Sequence, residues 1–247
     1  MPYQTATVDE NIEISPGVFS MRVPCADRAE AGQFYMLRKP RASVLLPRPI
    51  SVCDLKGGRL RFLYQVVGRG TEELAALRPG DELCLTGPLG NGFPVGQASG
   101  KIALVGGGIG VAPMLYTARC LRELGVAVDC IMGYRDSVFL TEELGRAAGR
   151  LLVATESGAH GYKGLVTALL EPRRYTAVYA CGPTPMLRAV TALCQKAGTA
   201  VYVSLENKMA CGLGACLVCA CADRQGKNRR VCKDGPVFRG EDLDLDA

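Results

Sequence analysis

Two hydrophobic rhythms divide the chain. Up to about residue 98, short apolar runs recur between turn-forming clusters: 34–37 (Phe-Tyr-Met-Leu), 50–53 (Ile-Ser-Val-Cys) and 60–64 (Leu-Arg-Phe-Leu-Tyr). Runs of this length, rich in aromatic and branched residues, predict strands, and Lys56-Gly57-Gly58 predicts the hairpin turn between the last two. Residues 71–77 predict one short helix, which Pro79-Gly80 stops. Brief strands at this spacing predict an antiparallel β-barrel over 1–98, with a sandwich as the alternative. From Lys101 the rhythm changes. Residues 102–105 (Ile-Ala-Leu-Val) are continuously apolar, as a strand buried on both faces requires, and a glycine-rich turn and a helical stretch near 111–124 follow. The runs 126–132, 151–155 and 177–180 repeat the strand pattern with helical stretches between them, so 99–203 predicts a doubly wound parallel sheet. After Val201-Tyr202-Val203 the chain becomes cysteine-rich and irregular, and 204–247 reads as a third, small segment. The fold class is therefore β + α/β with a C-terminal appendage, and no internal repeat is present.

Composition narrows the chemistry. Of 247 residues 48% are hydrophobic and 21% charged, enough to bury a sizeable core and too apolar for wholesale disorder. The net charge of +5 is small and scattered, which argues against nucleic-acid binding. A local basic run (Arg224, Lys227, Arg229, Arg230, Lys233) precedes an acidic tail (Glu241, Asp242, Asp244, Asp246). The pair reads as a solvated loop and a frayed end, with a partner-docking surface as the alternative. The N-terminal residues, from Met1-Pro2-Tyr3 onward, show neither a basic nor an apolar leader region, so no signal peptide is expected. The most apolar stretch, 102–118, is interrupted by four glycines and a proline and falls short of a membrane span. A reducing cytoplasmic setting follows, in which clustered cysteines suggest metal before disulfide.

Twelve cysteines are present, five of them from Cys211 to Cys232. Cys211, Cys216, Cys219 and Cys232 give the spacing C-x4-C-x2-C-x12-C, the plant-type pattern for a 2Fe–2S cluster. The small residues Gly212, Gly214 and Ala215 suit a loop that wraps a cluster and aims backbone N–H groups at its sulfur atoms. Four thiolates would also hold zinc, although zinc sites usually combine two close pairs and here the fourth cysteine stands alone. Cys221, two residues after Cys219, competes with Cys232 as fourth ligand. Ligands two apart would bunch on one side, which favours Cys232. A single histidine, His160, cannot supply the pair of imidazoles that a Rieske cluster or a mixed cysteine–histidine zinc finger needs, and it reads as a loop residue. Cys25, Cys53, Cys84, Cys120, Cys130 and Cys194 read as buried apolar residues.

Nucleotide chemistry is indicated at four places. Gly106-Gly107-Gly108-Ile109-Gly110 follows a predicted strand and opens a predicted helix, the setting of a turn that cradles phosphate, with tight strand–helix packing as the competing explanation. Cys181-Gly182-Pro183 stands at the carboxyl end of another predicted parallel strand, where open α/β sheets bind ligands; Cys181 also fits a small buried hydrophobe. Arg48, in Arg48-Pro49-Ile50-Ser51, offers a guanidinium for phosphate or a flavin edge. Gly70 and Thr71 begin the short helix, where N–H groups and a hydroxyl suit a diphosphate; an ordinary strand and turn explain both motifs as well. Arg135 beside Asp136 leaves open whether a 2′-phosphate or a ribose hydroxyl is met, hence NADP or NAD.

In sequence order, these motifs resemble the ferredoxin-reductase superfamily. With 204–216 (Ser-Leu-Glu-Asn-Lys-Met-Ala-Cys-Gly-Leu-Gly-Ala-Cys) they are similar, over essentially the whole chain, to the electron-transfer subunits of type B, NAD-linked dihydroorotate dehydrogenases. The resemblance implies FAD on 1–98, NAD(H) on 99–203 and a 2Fe–2S cluster on 204–247. It implies FAD contacts at Arg48, Pro49, Ile50 and Ser51, with Ser51 near the reactive isoalloxazine edge, at Leu63, Tyr64 and Gln65, and at the diphosphate turn of Gly70 and Thr71. Gly107, Gly108 and Gly110 would face the dinucleotide, and Cys181, Gly182 and Pro183 the nicotinamide. Ser51 and Cys181 are the residues it places at the chemistry, and Cys211, Cys216, Cys219 and Cys232 the ligands. The implied partner is an FMN-containing catalytic subunit in a heterotetramer of two of each chain, serving pyrimidine (UMP) biosynthesis. No general base for dihydroorotate chemistry is evident in this chain, which agrees with that division of labour. Two other readings are a related reductase serving a sulfide, hydrogenase or oxygenase partner, and a zinc-stapled, non-catalytic nucleotide-binding module.

Overall fold

A computed structural model describes residues 3–25 and 28–246; Met1 and Pro2, where the N-terminal reading begins, lie outside it. The first region contains β1 (Tyr3–Thr7), β2 (Glu10–Ser15), β3 (Val18–Pro24), β4 (Phe34–Arg38), β5 (Arg48–Lys56), β6 (Arg59–Gln65), α1 (Arg69–Ala75) and β7 (Glu82–Leu89). They form one antiparallel sheet in the order β1-β7-β4-β5-β6-β3-β2. Gly57 and Gly58, both at positive φ, make the turn of the β5–β6 hairpin. The sheet curls on itself: Met21, Tyr35, Leu37, Val52, Phe62, Tyr64, Leu83 and Leu85, from β3 to β7, meet in one buried cluster that α1 caps with Leu74. The helix is set two residues earlier than the pattern indicates, because Thr71 ties its first turn.

The second region contains β8 (Lys101–Gly107), α2 (Ala112–Glu123), β9 (Ala127–Tyr134), α3 (Thr141–Ala147), β10 (Arg150–Thr155), β11 (Tyr162–Lys163), β12 (Ala177–Cys181), α4 (Thr184–Ala197) and β13 (Ala200–Ser204). The sheet order is β11-β10-β9-β8-β12-β13-β16, with β16 (Val237–Arg239) supplied by the last segment. All pairings are parallel except the antiparallel β13–β16 edge. The chain runs outward from β8 through β10 and returns to β12, so the switch point of the winding lies between the ends of β8 and β12. Ile102 and Leu104 point into one buried cluster and Ala103 and Val105 into another, so both faces of β8 are covered. The two regions share core: Val18, Cys53 and Leu63 of the barrel join the cluster that buries Leu115, Ala118 and Leu121 of α2.

The last segment holds a short hairpin, β14 (Ala220–Ala222) with β15 (Asn228–Arg230), before β16. Its end is docked rather than frayed. Leu243 is buried against the α4–β13 layer, and the Arg188 guanidinium donates to the carbonyl of Leu245 at 2.6 and 3.0 Å. Apolar residues interleaved with the acidic ones account for the difference from the frayed tail the charges suggest. Of the six cysteines read as apolar filler, Cys53, Cys84, Cys130 and Cys194 are buried, and Cys25 and Cys120 are half-buried.

Candidate functional site

The site begins where two paired strands part. β5 pairs with β4 over Arg48 to Ser51 (Leu37↔Arg48, Met36↔Pro49, Tyr35↔Ile50, Phe34↔Ser51). Its pairing with β6 starts only at Val52↔Phe62. Leu63, Tyr64 and Gln65 pair instead with β3 on their other side. Pro49 lacks an N–H and suits an edge that carries no ladder. The parted strands open a cleft of about 860 Å³ lined by Arg48, Pro49, Ile50, Ser51, Leu63, Tyr64, Gln65 and Thr71. Its far wall comes from Ile109 of the glycine-rich turn and Ala112 and Pro113 at the start of α2, and its end from Leu205, Glu206, Asn207, Lys208, Met209 and Val218. The strand pair, the turn and the start of the cysteine segment thus share one cavity.

At the barrel end the turn before α1 is tied by one side chain. Thr71 Oγ1 accepts from the backbone N–H groups of Val67 (2.9 Å) and Gly68 (3.2 Å) and donates to the Gly68 carbonyl (2.8 Å). A Cβ on Gly70 would lie 2.5 Å from Arg48 Cζ, so glycine there lets the guanidinium lie against the turn. Arg48 also donates to the Leu46 carbonyl at 2.8 Å, which leaves the guanidinium braced along the cleft wall.

At the switch point the four glycines are unequal. A Cβ on Gly106 would meet Met132, on Gly107 Met186, and on Gly110 the Cys181 carbonyl oxygen at 2.5 Å. Gly107 and Gly110 keep the end of β8 close to the end of β12 and the start of α4, and Gly106 packs against β9 and the turn itself, as the packing explanation requires. Gly108, at φ +56°, faces open space, so its backbone is the part available to a ligand. Cys181 is only 1% exposed and lines no part of the cleft surface. Burial holds its thiol protonated well above the usual range, against the hydrogen bond from its neighbour Ser204. Gly182 sits against Gly107, and Pro183 leads into α4.

The cysteine loop lies on the outer face of the barrel. Gly212, at φ +69°, puts its bare Cα where a Cβ would be 2.7 Å from Met36 Cγ, and Phe34, Met36 and Leu89 share a buried cluster with Met209, Cys219, Val231 and Cys232. The thiols occur as two contacting pairs, Cys211 with Cys216 and Cys219 with Cys232. Backbone donors converge on them: Leu213 N–H to Cys211 Sγ (3.3 Å), Gly214 N–H to Cys232 Sγ (3.1 Å) and Cys232 N–H to Cys219 Sγ (3.5 Å). Burial opposes ionisation of Cys211, but the N–H groups of Leu213, Cys216 and Ala215, together with the Cys216 thiol, outweigh it and lower its pKa to about 6. Cys221 lies on β14 and packs at the edge of two apolar clusters beside Leu205 and Phe238. Two thiol pairs suit a centre of two irons with two cysteines each, whereas a single zinc needs all four sulfurs within about 2.3 Å.

Two cleft residues are illegible in the spacing. Glu206 lines the end of the cleft and is exposed to solvent, while the protein crowded around its carboxyl raises its pKa. Lys208 lines the same end. A charged residue inside 204–209 just before the first cysteine was the available signal, but nothing local says that it turns into the cleft. His160 is exposed in the β10–β11 loop, where its carbonyl accepts from Thr155, and the cleft does not include it. Arg135 and Asp136 are both exposed at the end of β9. Arg229 and Arg230 of the basic run are engaged by Asp223 and Asp234.

Comparison with known proteins places these features together in other chains. Residues 206–244 match the family described as the iron–sulfur cluster binding domain of dihydroorotate dehydrogenase B. The chain is 44% identical to the dihydroorotate dehydrogenase B (NAD+) electron transfer subunit of Clostridium perfringens, over 99% of each chain. The corresponding subunit of Clostridium acetobutylicum is also 44% identical, over 98% of each. Among solved structures, one of the NADH-dependent reduced ferredoxin-NADP oxidoreductase superposes with a TM-score of 0.88 at 31% identity, covering 98% of this chain and 90% of that one. A ferredoxin NADP+ reductase from Neisseria gonorrhoeae, solved with FAD and NADP, shares the fold at a TM-score of 0.69 and 17% identity, over 84% of this chain and 95% of that one.

Proposed function

Because the chain belongs to the family of dihydroorotate dehydrogenase B (NAD+) electron transfer subunits, we propose that it carries electrons between a dihydroorotate-oxidising partner and NAD. It is an oxidoreductase subunit whose cofactors are FAD and a 2Fe–2S cluster, with NAD(H) as co-substrate. Flavin exchanges electrons singly or in pairs, nicotinamide in pairs as hydride, and an iron–sulfur cluster singly, so FAD between the other two joins their chemistries. The observation that carries the reading is the single cleft walled by the parted β5–β6 strands, the turn at Ile109 and 205–209.

The residues divide the work as follows. Arg48, braced against Gly70, presents fixed positive charge to a diphosphate, with the Thr71-tied turn beside it. Pro49, Ile50, Leu63 and Tyr64 supply apolar walls for a ring system, and the Ser51 hydroxyl and Gln65 amide supply polar contacts at its edge. Gly108 gives its backbone to the dinucleotide, while Gly107 and Gly110 keep Cys181, Gly182 and Pro183 close behind the nicotinamide position. Cys181, neutral because it is buried, shapes that position without adding charge. Glu206 carries a carboxyl with raised proton affinity at the same end of the cleft. Cys211 and Cys216 would hold one iron, Cys219 and Cys232 the other, with N–H groups of Leu213 and Gly214 aimed at the sulfurs.

The family supports a catalytic partner subunit. We assign it FMN and a two-plus-two heterotetramer, docked over the exposed Cys216 with Leu213, Leu217 and Val218 around it. A cytoplasmic setting is supported by the eight cysteines outside the cluster, none of them in a disulfide; no helix among the described residues is long and apolar enough to cross a membrane. Analysis of the purified chain tests the assignment: FAD, two irons and two acid-labile sulfides per chain, NADH-dependent dye reduction, and no orotate formation. One zinc in place of iron, or orotate production by this chain alone, would overturn it. Co-purification from the native host tests the partner and its stoichiometry.

A further inference from the structure

Away from the cleft, four charged side chains lock the barrel to the nucleotide domain. Arg61 of β6 has a side chain only 9% exposed; its Nε donates to Ser20 Oγ at 2.9 Å, and its Nη1 donates to both carboxylate oxygens of Glu143 at 2.8 Å. Glu143 belongs to α3, in the other domain, and also meets Arg119 of α2 at 3.4 Å. Arg119 in turn pairs with Asp54 of β5. Asp54 is 8% exposed, and its second carboxylate oxygen accepts no hydrogen bond from the described residues. The four formal charges cancel. Each barrel member faces a partner from the nucleotide domain, so the network cannot be completed within either domain.

Its position in the chain is what gives it a consequence. Asp54 lies three residues beyond Ser51 on β5, about 10 Å along a strand. Arg61 lies two residues before Leu63 on β6. Arg119 lies six residues beyond Pro113 on α2, about 9 Å along a helix. The same two strands and the same helix therefore supply the cleft walls at one end and the ion network at the other. Any tilt of α2 on the barrel changes both ends together. Hydride transfer depends steeply on approach geometry, and a misplacement of about 1 Å can cost roughly 100-fold.

We propose that Arg61, Glu143, Arg119 and Asp54 are positioning residues that set how the nucleotide domain approaches the barrel, and through it the distance over which hydride passes in the cleft. None of the four lines the cleft; Asp54 and Arg61 face each other across the β5–β6 ladder, and the effect runs through β5, β6 and α2. The inference rests on the reading of the cleft as the place where nicotinamide meets flavin.

Stopped-flow reduction of the flavin by NADH, in the full chain carrying FAD and cluster, tests it. Glu143→Gln keeps the shape and removes the charge. Its limiting rate of flavin reduction is expected to fall about tenfold or more, with the NADH dissociation constant within twofold of wild type and FAD and iron content unchanged. The long-wavelength charge-transfer absorbance of the NADH complex should weaken in parallel, which a loss of stability alone would not cause. In the double variant Arg61→Gln/Glu143→Gln the loss should not exceed that of the worse single variant, because the pair acts as a unit. Arg119→Lys, which keeps charge but not the planar fork, should lose less and guards against misfolding of the first variant. An unchanged limiting rate in Glu143→Gln, a change in NADH affinity alone, or losses that multiply in the double variant would each overturn the inference. A wild-type chain that NADH fails to reduce would overturn the underlying reading, and this inference with it.

Discussion

The parallel sheet and the cysteine segment hold their shapes by different means. In the sheet, Ile102, Ala103, Leu104 and Val105 are at most 1% exposed, and each face of β8 has its own apolar layer. A region of this kind is held by burial at about 1.5–3 kcal/mol per large side chain. The cysteine segment buries Met209, Cys219, Val231 and Cys232 in its main apolar cluster, with Leu205, Cys221 and Phe238 half-buried at the edge, and the cluster closes only on Phe34, Met36 and Leu89 of the barrel. Two of those four are proposed ligands. What orders the remainder is polar: Asp223 accepts from the N–H groups of Gln225 and Lys227 and from Arg229, and Asp234 from the N–H and guanidinium of Arg230. Asn91 of the barrel side donates to the carbonyls of Lys233 and Asp234 at 3.1 Å. A segment with so little core of its own depends on its metal and its neighbour. The sheet does not.

The largest effect should come from removing a ligand. Cys232→Ser is expected to abolish cluster incorporation, read as iron content and visible absorbance, while NADH still reduces the flavin. Cys221→Ser should keep the cluster; its loss would reassign the fourth ligand and break the two-pair arrangement. Next, Gly110→Ala drives a Cβ to 2.5 Å from the Cys181 carbonyl oxygen, a backbone atom that cannot turn aside. It should destabilise the sheet by about 2–3 kcal/mol, a fall in Tm of roughly 5–10 °C by differential scanning fluorimetry. The matching change in the other region, Gly212→Ala, meets the flexible Met36 and a positive φ, at a cost of about 1–2 kcal/mol. It should loosen the cluster, read as faster bleaching by a chelator, with little change in the Tm of the sheet. A Tm change as large as that of Gly110→Ala would show that the segment and the sheet unfold as one.

The smallest effect is acid sensitivity of the β14–β15 hairpin. The Lys227 N–H, foremost, holds the Asp223 carboxyl below its ordinary 3.8, with Arg229 and Gln225 adding to it against the cost of burial. A carboxyl depressed on folding stabilises fully above its unfolded pKa and loses that contribution as pH falls through the folded one. The hairpin should therefore weaken below about pH 3.8, and Asp223→Asn should flatten that dependence, measured by amide exchange across 220–230. An unaltered acid limb would remove Asp223 from the account.

Local patterning by itself determined much of this protein. The continuous apolar run at 102–105 can be stable only as a strand covered on both faces, and it is β8. The cysteine spacing named four thiols, and the strand–turn–helix setting of Gly106–Gly110 placed a turn at the end of that strand. Strands such as β1, with its polar, exposed alternation, carry too little apolar signal to be read in advance and exist because β7 offers a free edge. Tertiary structure alone decided that β5 leaves β6 at Val52, which makes the cleft, and that Gly110 packs on protein while Gly108 stays open. It also set Glu206 at the end of the cleft, docked the acidic tail through Leu243, and joined Arg61 to Glu143 across 82 positions of sequence. Hydrophobic period and cysteine spacing are local quantities that a chain carries before it folds. Which edge goes unpaired, and which distant charges meet, depends on contacts that exist only once the layers have packed.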